Sequence, residues 1–111
     1  MSDVSYDPGW LRHRVSVEQQ ANSADGAGGE TVAWTNLTDL WARIEPVSAK
    51  EEVVAGHIAG VLTHTVTLRW HSDITGAMRV TYHGRTFRIL AVYDPDETGR
   101  YLVADVAEET P

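Results

Sequence analysis

The chain predicts an all-β fold: a small six-stranded antiparallel β-barrel with a long loop or short helix between strands two and three. Three observations carry this reading. Apolar residues recur with period two in several short runs, the pattern of half-buried strands. Those runs are separated by clusters of Gly, Pro, Asn and Asp, which favour turns. Helical spacing of apolar residues occurs in one segment only, residues 47–62.

The 111 residues suit one domain, 1–111, with an arm at 1–9, a barrel at 10–109 and a tail at 110–111. The arm is polar and closed by the turn formers Asp7-Pro8-Gly9. In the first strand Leu11, His13, Val15 and Val17 alternate with Arg12, Arg14, Ser16 and Glu18. Residues 19–30 are rich in Asn, Ser, Asp and Gly and are expected to be a loop with a flexible tip at Asp25-Gly26-Ala27-Gly28-Gly29.

The second strand is expected from Thr31 to Pro46, with a bend near Asn36 to Asp39. Leu40, Ala42 and Ile44 share one face; Trp41, Arg43 and Glu45 share the other. Pro46 lacks an N–H for the ladder and is expected to end the strand. Ser48-Ala49-Lys50-Glu51 has the form of a helix cap, with Val53, Val54, Ile58 and Val61 at helical spacing. Gly56 and Gly60 each weaken a helix by about 1 kcal/mol relative to Ala. The segment therefore reads as a mobile loop with at most a short helix.

The third strand ends with Val66, Leu68 and Trp70 on the apolar face. Asp73-Ile74-Thr75-Gly76 breaks the chain. Met78, Val80 and Tyr82 then alternate with Arg79, Thr81 and His83, and a tight turn at His83-Gly84-Arg85 leads into a strand from Thr86 to Tyr93. There Phe87, Ile89 and Ala91 share a face, while Leu90 and Val92 make the far end apolar on both. Asp94 to Gly99 is a turn by composition, and Tyr101 to Ala107 is the last strand.

The net charge of -7 and a single lysine, Lys50, argue against tight DNA binding, which needs a basic footprint. Most arginines are expected to be solvated or locally paired. The absence of cysteine excludes disulfides and thiolate metal sites. No run of about 20 apolar residues is present to span a bilayer, and the acidic N-terminus is unlike a secretory signal.

His57, His64 and His71 are spaced by seven, which places His64 and His71 on opposite faces of a strand, so no metal site is expected. No nucleophile elbow, dinucleotide fingerprint or P-loop occurs, and neither a catalytic residue nor a cofactor is assigned. Trp10 and Trp34 have weak core arguments and, with Arg12 and Arg14, are candidate interface residues. Trp70 is assigned to the core.

In order and spacing, several segments resemble the phage head–tail joining family of head-closure or stopper proteins. They are Asp7 to Val15, Trp41-Ala42-Arg43-Ile44-Glu45-Pro46, Thr65 to Trp70 and Met78 to Ile89. The resemblance runs from about Asp7 to Glu109. It implies a barrel with a long loop after the second strand, a ring that is twelvefold in the usual design, and a place in the virion neck. The portal and its adaptor would lie above and the tail terminator or tail tube below, with assembly in the host cytoplasm. Packaged double-stranded DNA would pass through without sequence recognition. The channel loop would be Ser48 to Leu62, with Ser48, Lys50, Glu51, Glu52, Val53, Val54, His57 and Ile58 as its candidate residues. Gene transfer agents use similar neck proteins. The alternative reading from the residues is a barrel module that binds single-stranded nucleic acid or peptide through an exposed aromatic face beside arginines such as Arg69, Arg79 and Arg88.

Overall fold

A computed structural model describes residues 11–24, 30–55 and 58–109, with side chains described for 11–21, 33–47 and 60–109. Six strands follow one another: β1 His13–Ala24, β2 Glu30–Ala55, β3 Ile58–Arg69, β4 Arg79–Tyr82, β5 Arg85–Tyr93 and β6 Tyr101–Glu109. All pairings are antiparallel, and the sheet closes in the order β1-β2-β3-β6-β5-β4, with β4 returning to β1 through Val17↔Val80. Closure leaves no free edge around the barrel wall. Among the described residues, no helix is long and apolar enough to cross a membrane.

The interior is filled by the alternating apolar positions. Val15 and Val17, Ala42, Val66 and Leu68, Val80, Phe87 and Ile89, and Leu102, Ala104 and Val106 form one buried cluster. Ile74, from the connection between β3 and β4, joins it. The tight turn between β4 and β5 is present, with His83 at φ 49° and Gly84 at φ 79°. Positive φ at both central residues gives the hairpin turn whose twist matches its strands.

Two bulges adjust the wall. Val17 faces Thr38 but Glu18 faces Asn36, which leaves Leu37 extra and accounts for the bend expected near Asn36 to Asp39. Ile89 faces Val106 and Ala91 faces Asp105, which leaves Leu90 extra. That second bulge corrects the expected facing of β5. Ile89 and Val92 pack toward the core cluster, and Ala91 falls out of phase with Ile89.

Three further expectations are corrected. Residues 19–24 are strand, not loop, and pair with residues 30–35; the tip at 25–29 lies outside the described residues. Pro46 does not end β2. It faces His64, and pairing resumes from Glu51↔Leu62 to Ala55↔Ile58. The segment expected as a loop or short helix at 47–62 is therefore largely a two-stranded ribbon. Cross-strand pairing from Glu51↔Leu62 to Ala55↔Ile58 satisfies backbone groups there, and Gly60 pairs with Val53 within it. The proline acts as a register break. Trp70 is not core. β3 ends at Arg69, so the alternation lapses, and the Trp70 side chain is 44% exposed.

Candidate interaction surface

The outer face of β1 and β2 carries the polar half of the alternation and two tryptophans. Trp41 lies outward because its neighbour Ala42 is fully buried, and it is 52% exposed. Arg14 faces it directly across the ladder, with its guanidinium 5.6 Å from the ring centroid. Further along, Arg79 of β4 lies 4.3 Å over Trp34 and donates to Glu18 Oε1 at 2.6 Å. The cation–π contact and the ion pair together hold this guanidinium over the indole. Between the two tryptophans, Ser16 Oγ and Asn36 Nδ2 both donate to Asp39 Oδ1, at 2.8 and 2.9 Å. Those bonds hold the Asp39 carboxyl below its ordinary range, Asn36 contributing most.

At the end of this face an open groove of about 520 Å³ is lined by Arg12, His13, Arg43, Ile44, Glu45 and Pro46. Arg43 Nε pairs with Glu45 at 2.9 Å beside it. His13 Nδ1 lies 3.0 Å from the Tyr82 hydroxyl, which ties β1 to β4.

Of the sequence candidates, Arg14 and Trp34 stand on the outer face of β1 and β2, and Arg12, just before β1, lines the groove. Trp10 lies outside the described residues. Sequence reasoning missed Trp41 as a member of the surface, and set Arg69 and Arg79 beside an exposed aromatic face only under the nucleic-acid or peptide alternative. The signal for Trp41 was present, because it alternates with Ala42 on the face shared with Arg43 and Glu45. Arg79 joins only through β4–β1 closure.

The ribbon forms a second feature. Ser48, Lys50, Glu51, Glu52, Val53 and Val54 lie on β2 and Ile58 on β3. Their side chains, and His57 altogether, lie outside the described residues. The ribbon rests on β5: a Cβ built on Gly60 would lie 2.8 Å from both Arg88 Nη2 and Leu90 Cδ2.

Its root is pinned by a polar network. Thr63 Oγ1 accepts from the Glu108 N–H at 2.7 Å. Arg85 donates twice to the Glu108 carboxylate, at 2.8 and 3.0 Å. His64 Nδ1 lies 2.9 Å from Thr63 Oγ1, and its ring meets Phe87 edge-on at 5.2 Å between centroids. Three strands, β3, β5 and β6, are clasped where the ribbon leaves the barrel.

Hydrogen bonds from Arg85 hold the Glu108 carboxyl below its ordinary range, against a smaller opposing effect of desolvation. Asp96 is also lowered, chiefly by Thr98. A depressed carboxylate contributes stability that is full above its unfolded pKa and lost as pH falls through its folded pKa. The melting temperature is therefore expected to show no loss from these groups down to about pH 4.5, the ordinary glutamate value, and to fall below it. Glu108→Gln should flatten part of that fall. Melting curves from pH 7 to 3 check this, and an identical acid limb in the variant would remove Glu108 as a source.

Among the described residues, no three His, Asp or Glu side chains converge as a metal site. A closed barrel with an Arg- and Trp-bearing outer face and a ribbon seated on β5 suits protein assembly. A model of the phage head completion protein family matches residues 6–109. The chain belongs to the phage head completion protein family.

Head completion proteins are structural virion components, not an enzyme class. The head completion protein gp7 of Enterobacteria phage HK97 is 25% identical over 101 residues, covering 86% of this chain and 90% of that protein. A chain from the virion of a native gene transfer agent particle is 28% identical with a TM-score of 0.65, over 88% of this chain and 93% of its own length. Protein SF1141 from Shigella flexneri 2a has the same fold, with a TM-score of 0.73 at 24% identity over 95% and 98% of the two chains.

Proposed function

We propose that this head completion protein closes the DNA-filled head and joins it to the tail as a ring in the neck. Portal and adaptor lie on one side and the tail terminator or tube on the other. The observation that supports this most is the family match over nearly the whole chain. The similarity to a chain in an assembled gene transfer agent virion adds to it. In this reading the 47–62 ribbon extends toward the DNA channel from its clasped root. The net charge of -7 suits a passage that repels DNA and lets it slide.

The nucleic-acid-binding alternative has less support. Arg79, the arginine stacked on Trp34, is engaged by Glu18 rather than presented to phosphate.

Electron microscopy of particles made without this gene tests the proposal. The expected result is tail-less heads that have lost their DNA, with free tails alongside. Normal tailed, infectious particles would sink it.

A further inference from the structure

One row of side chains crosses four strands on the outer face. Arg14 of β1 faces Trp41 of β2, and Ala42 faces Leu68, which sets Trp41 opposite Arg69 of β3. Arg69 in turn faces Tyr101 of β6. Trp41 is 52% exposed, and Arg14 and Arg69 on either side of it are exposed too. The Arg14 guanidinium lies 5.6 Å from the Trp41 ring centroid, and that of Arg69 lies 5.9 Å from the Tyr101 centroid.

These two arginines differ from others in lacking a carboxylate. Arg43 pairs with Glu45, Arg79 with Glu18, Arg85 with Glu108 and Arg100 with Asp96. Among the described residues, Arg14 and Arg69 make cation–π contacts and no ion pair. Asp39, two residues from Trp41 on β2, is bonded by Ser16 and Asn36 instead. The chain has 16 Asp and Glu against 9 Lys and Arg, so carboxylates are in excess. Two arginines left without one, with an indole between them, mark a surface for a partner.

The surroundings of the row give it a direction. Beyond Tyr101 stands the loop between β5 and β6, tied to the end of β3 by the Trp70 N–H donating to the Arg100 carbonyl at 2.9 Å. That loop carries exposed Glu97. On the other side the row adjoins the open groove of about 520 Å³, since Arg12 and Arg43 in its wall lie two residues from Arg14 and Trp41. Ile44 and Pro46 add apolar wall there.

We infer that the Arg14–Trp41–Arg69 face and the adjoining groove bind an extended acidic segment of a partner protein. Carboxylates of the segment meet Arg14 and Arg69, and an apolar side chain between them covers the Trp41 indole. The segment runs on toward Arg12 in the groove, away from Glu97. Arginine suits this occupant because its planar fork binds both oxygens of a carboxylate. Nucleic acid suits it less: a few arginines on a chain of net charge -7 make a small footprint for a continuous phosphate backbone. The inference adds the chemistry of a partner to the neck reading and rests on it for where that partner is met; binding in solution is judged without it.

The probe is the peptide acetyl-Glu-Glu-Leu-Glu-Glu-Leu-amide, followed through the Trp41 indole N–H resonance of isotope-labelled protein. Its counterpart with Gln for Glu and an oligothymidylate are titrated beside it. The acidic peptide is expected to shift that resonance saturably, and less at high salt. Arg14→Glu and Arg69→Glu should each weaken binding about fivefold, the upper range for an exposed ion pair. Unchanged melting of both variants shows that folding is intact. No shift up to millimolar peptide, or an equal shift from the Gln peptide, overturns the inference. Tighter binding of oligothymidylate overturns it in favour of nucleic acid. In particles, a photo-crosslinking residue in place of Trp41 should join to an acidic segment of another virion protein; a crosslink to DNA or only to a second copy of this chain overturns it. Normal tailed particles made without this protein overturn the neck reading and leave the solution result standing.

Discussion

Phe87→Ala is expected to destabilise the barrel by about 3–5 kcal/mol, the usual cost of removing a fully buried aromatic. Among the described residues, Phe87 is the largest fully buried side chain. It faces Val80 on one neighbouring strand and Glu108 on the other, and its ring meets His64 edge-on. Both flanking strands are held in a closed ladder, so the wall cannot collapse into the space left behind. Ordinary domains have only about 5–15 kcal/mol in total, so the variant should lose a large part of its stability. Phe87→Leu, which keeps much of the volume, should cost far less. Urea unfolding followed by circular dichroism measures both, with an unchanged slope if unfolding stays two-state. A midpoint within error of the parent for Phe87→Ala would mean that the barrel core is not packed as described.

Gly60→Val should cost about 1–3 kcal/mol, the range for overpacking. The new Cβ would stand 2.8 Å from Arg88 Nη2 and from Leu90 Cδ2. The arginine end can swing aside. Leu90 has no exposed surface, so its methyl must move within packed surroundings or the ribbon must lift off β5. The two responses are separable. Hydrogen exchange rising in residues 58–62, with the rest of the barrel protected, indicates lifting; a uniform rise indicates strain passed into the wall. Unchanged stability and exchange would mean that Gly60 does not lie against β5. In particles, a lifted ribbon should lower the yield of filled, tailed virions if its seating matters to head closure.

Much of the barrel was legible because its wall obeys a local rule. Period-two alternation sets which side chains of β1, the middle of β2, and β3 to β6 turn inward, and Val15, Val17, Leu68, Val80 and Phe87 follow it. The rule fails where the ladder adds or loses a residue. Leu90 is an extra residue opposite β6, which takes Ala91 out of phase with Ile89. Trp70 lies one residue beyond the end of β3, so continuing the alternation misplaced it. The 47–62 segment misled for a different reason. Its apolar residues fit helical spacing as well as strand pairing, and short apolar patterns do not distinguish the two. Cross-strand partners on β3 decided in favour of strand.

The candidate surface divides the same way. Arg12, Arg14, Trp34 and Trp41 were visible as outward or weakly placed residues, because burial alternates along a strand whatever its neighbours are. That Arg79 would cover Trp34 and that Arg69 would meet Tyr101 of β6 could not be read locally. Those juxtapositions depend on closure between β1 and β4 and on the placement of β6 beside β3. The sequence by itself determined an all-β chain, its inward residues, its acidic balance and its family resemblance, because each resides in local pattern, composition or motif order. The tertiary structure alone decided the ribbon, the bulges and which side chains meet on the outer face, because strand order and register are set by contacts between residues far apart in the chain.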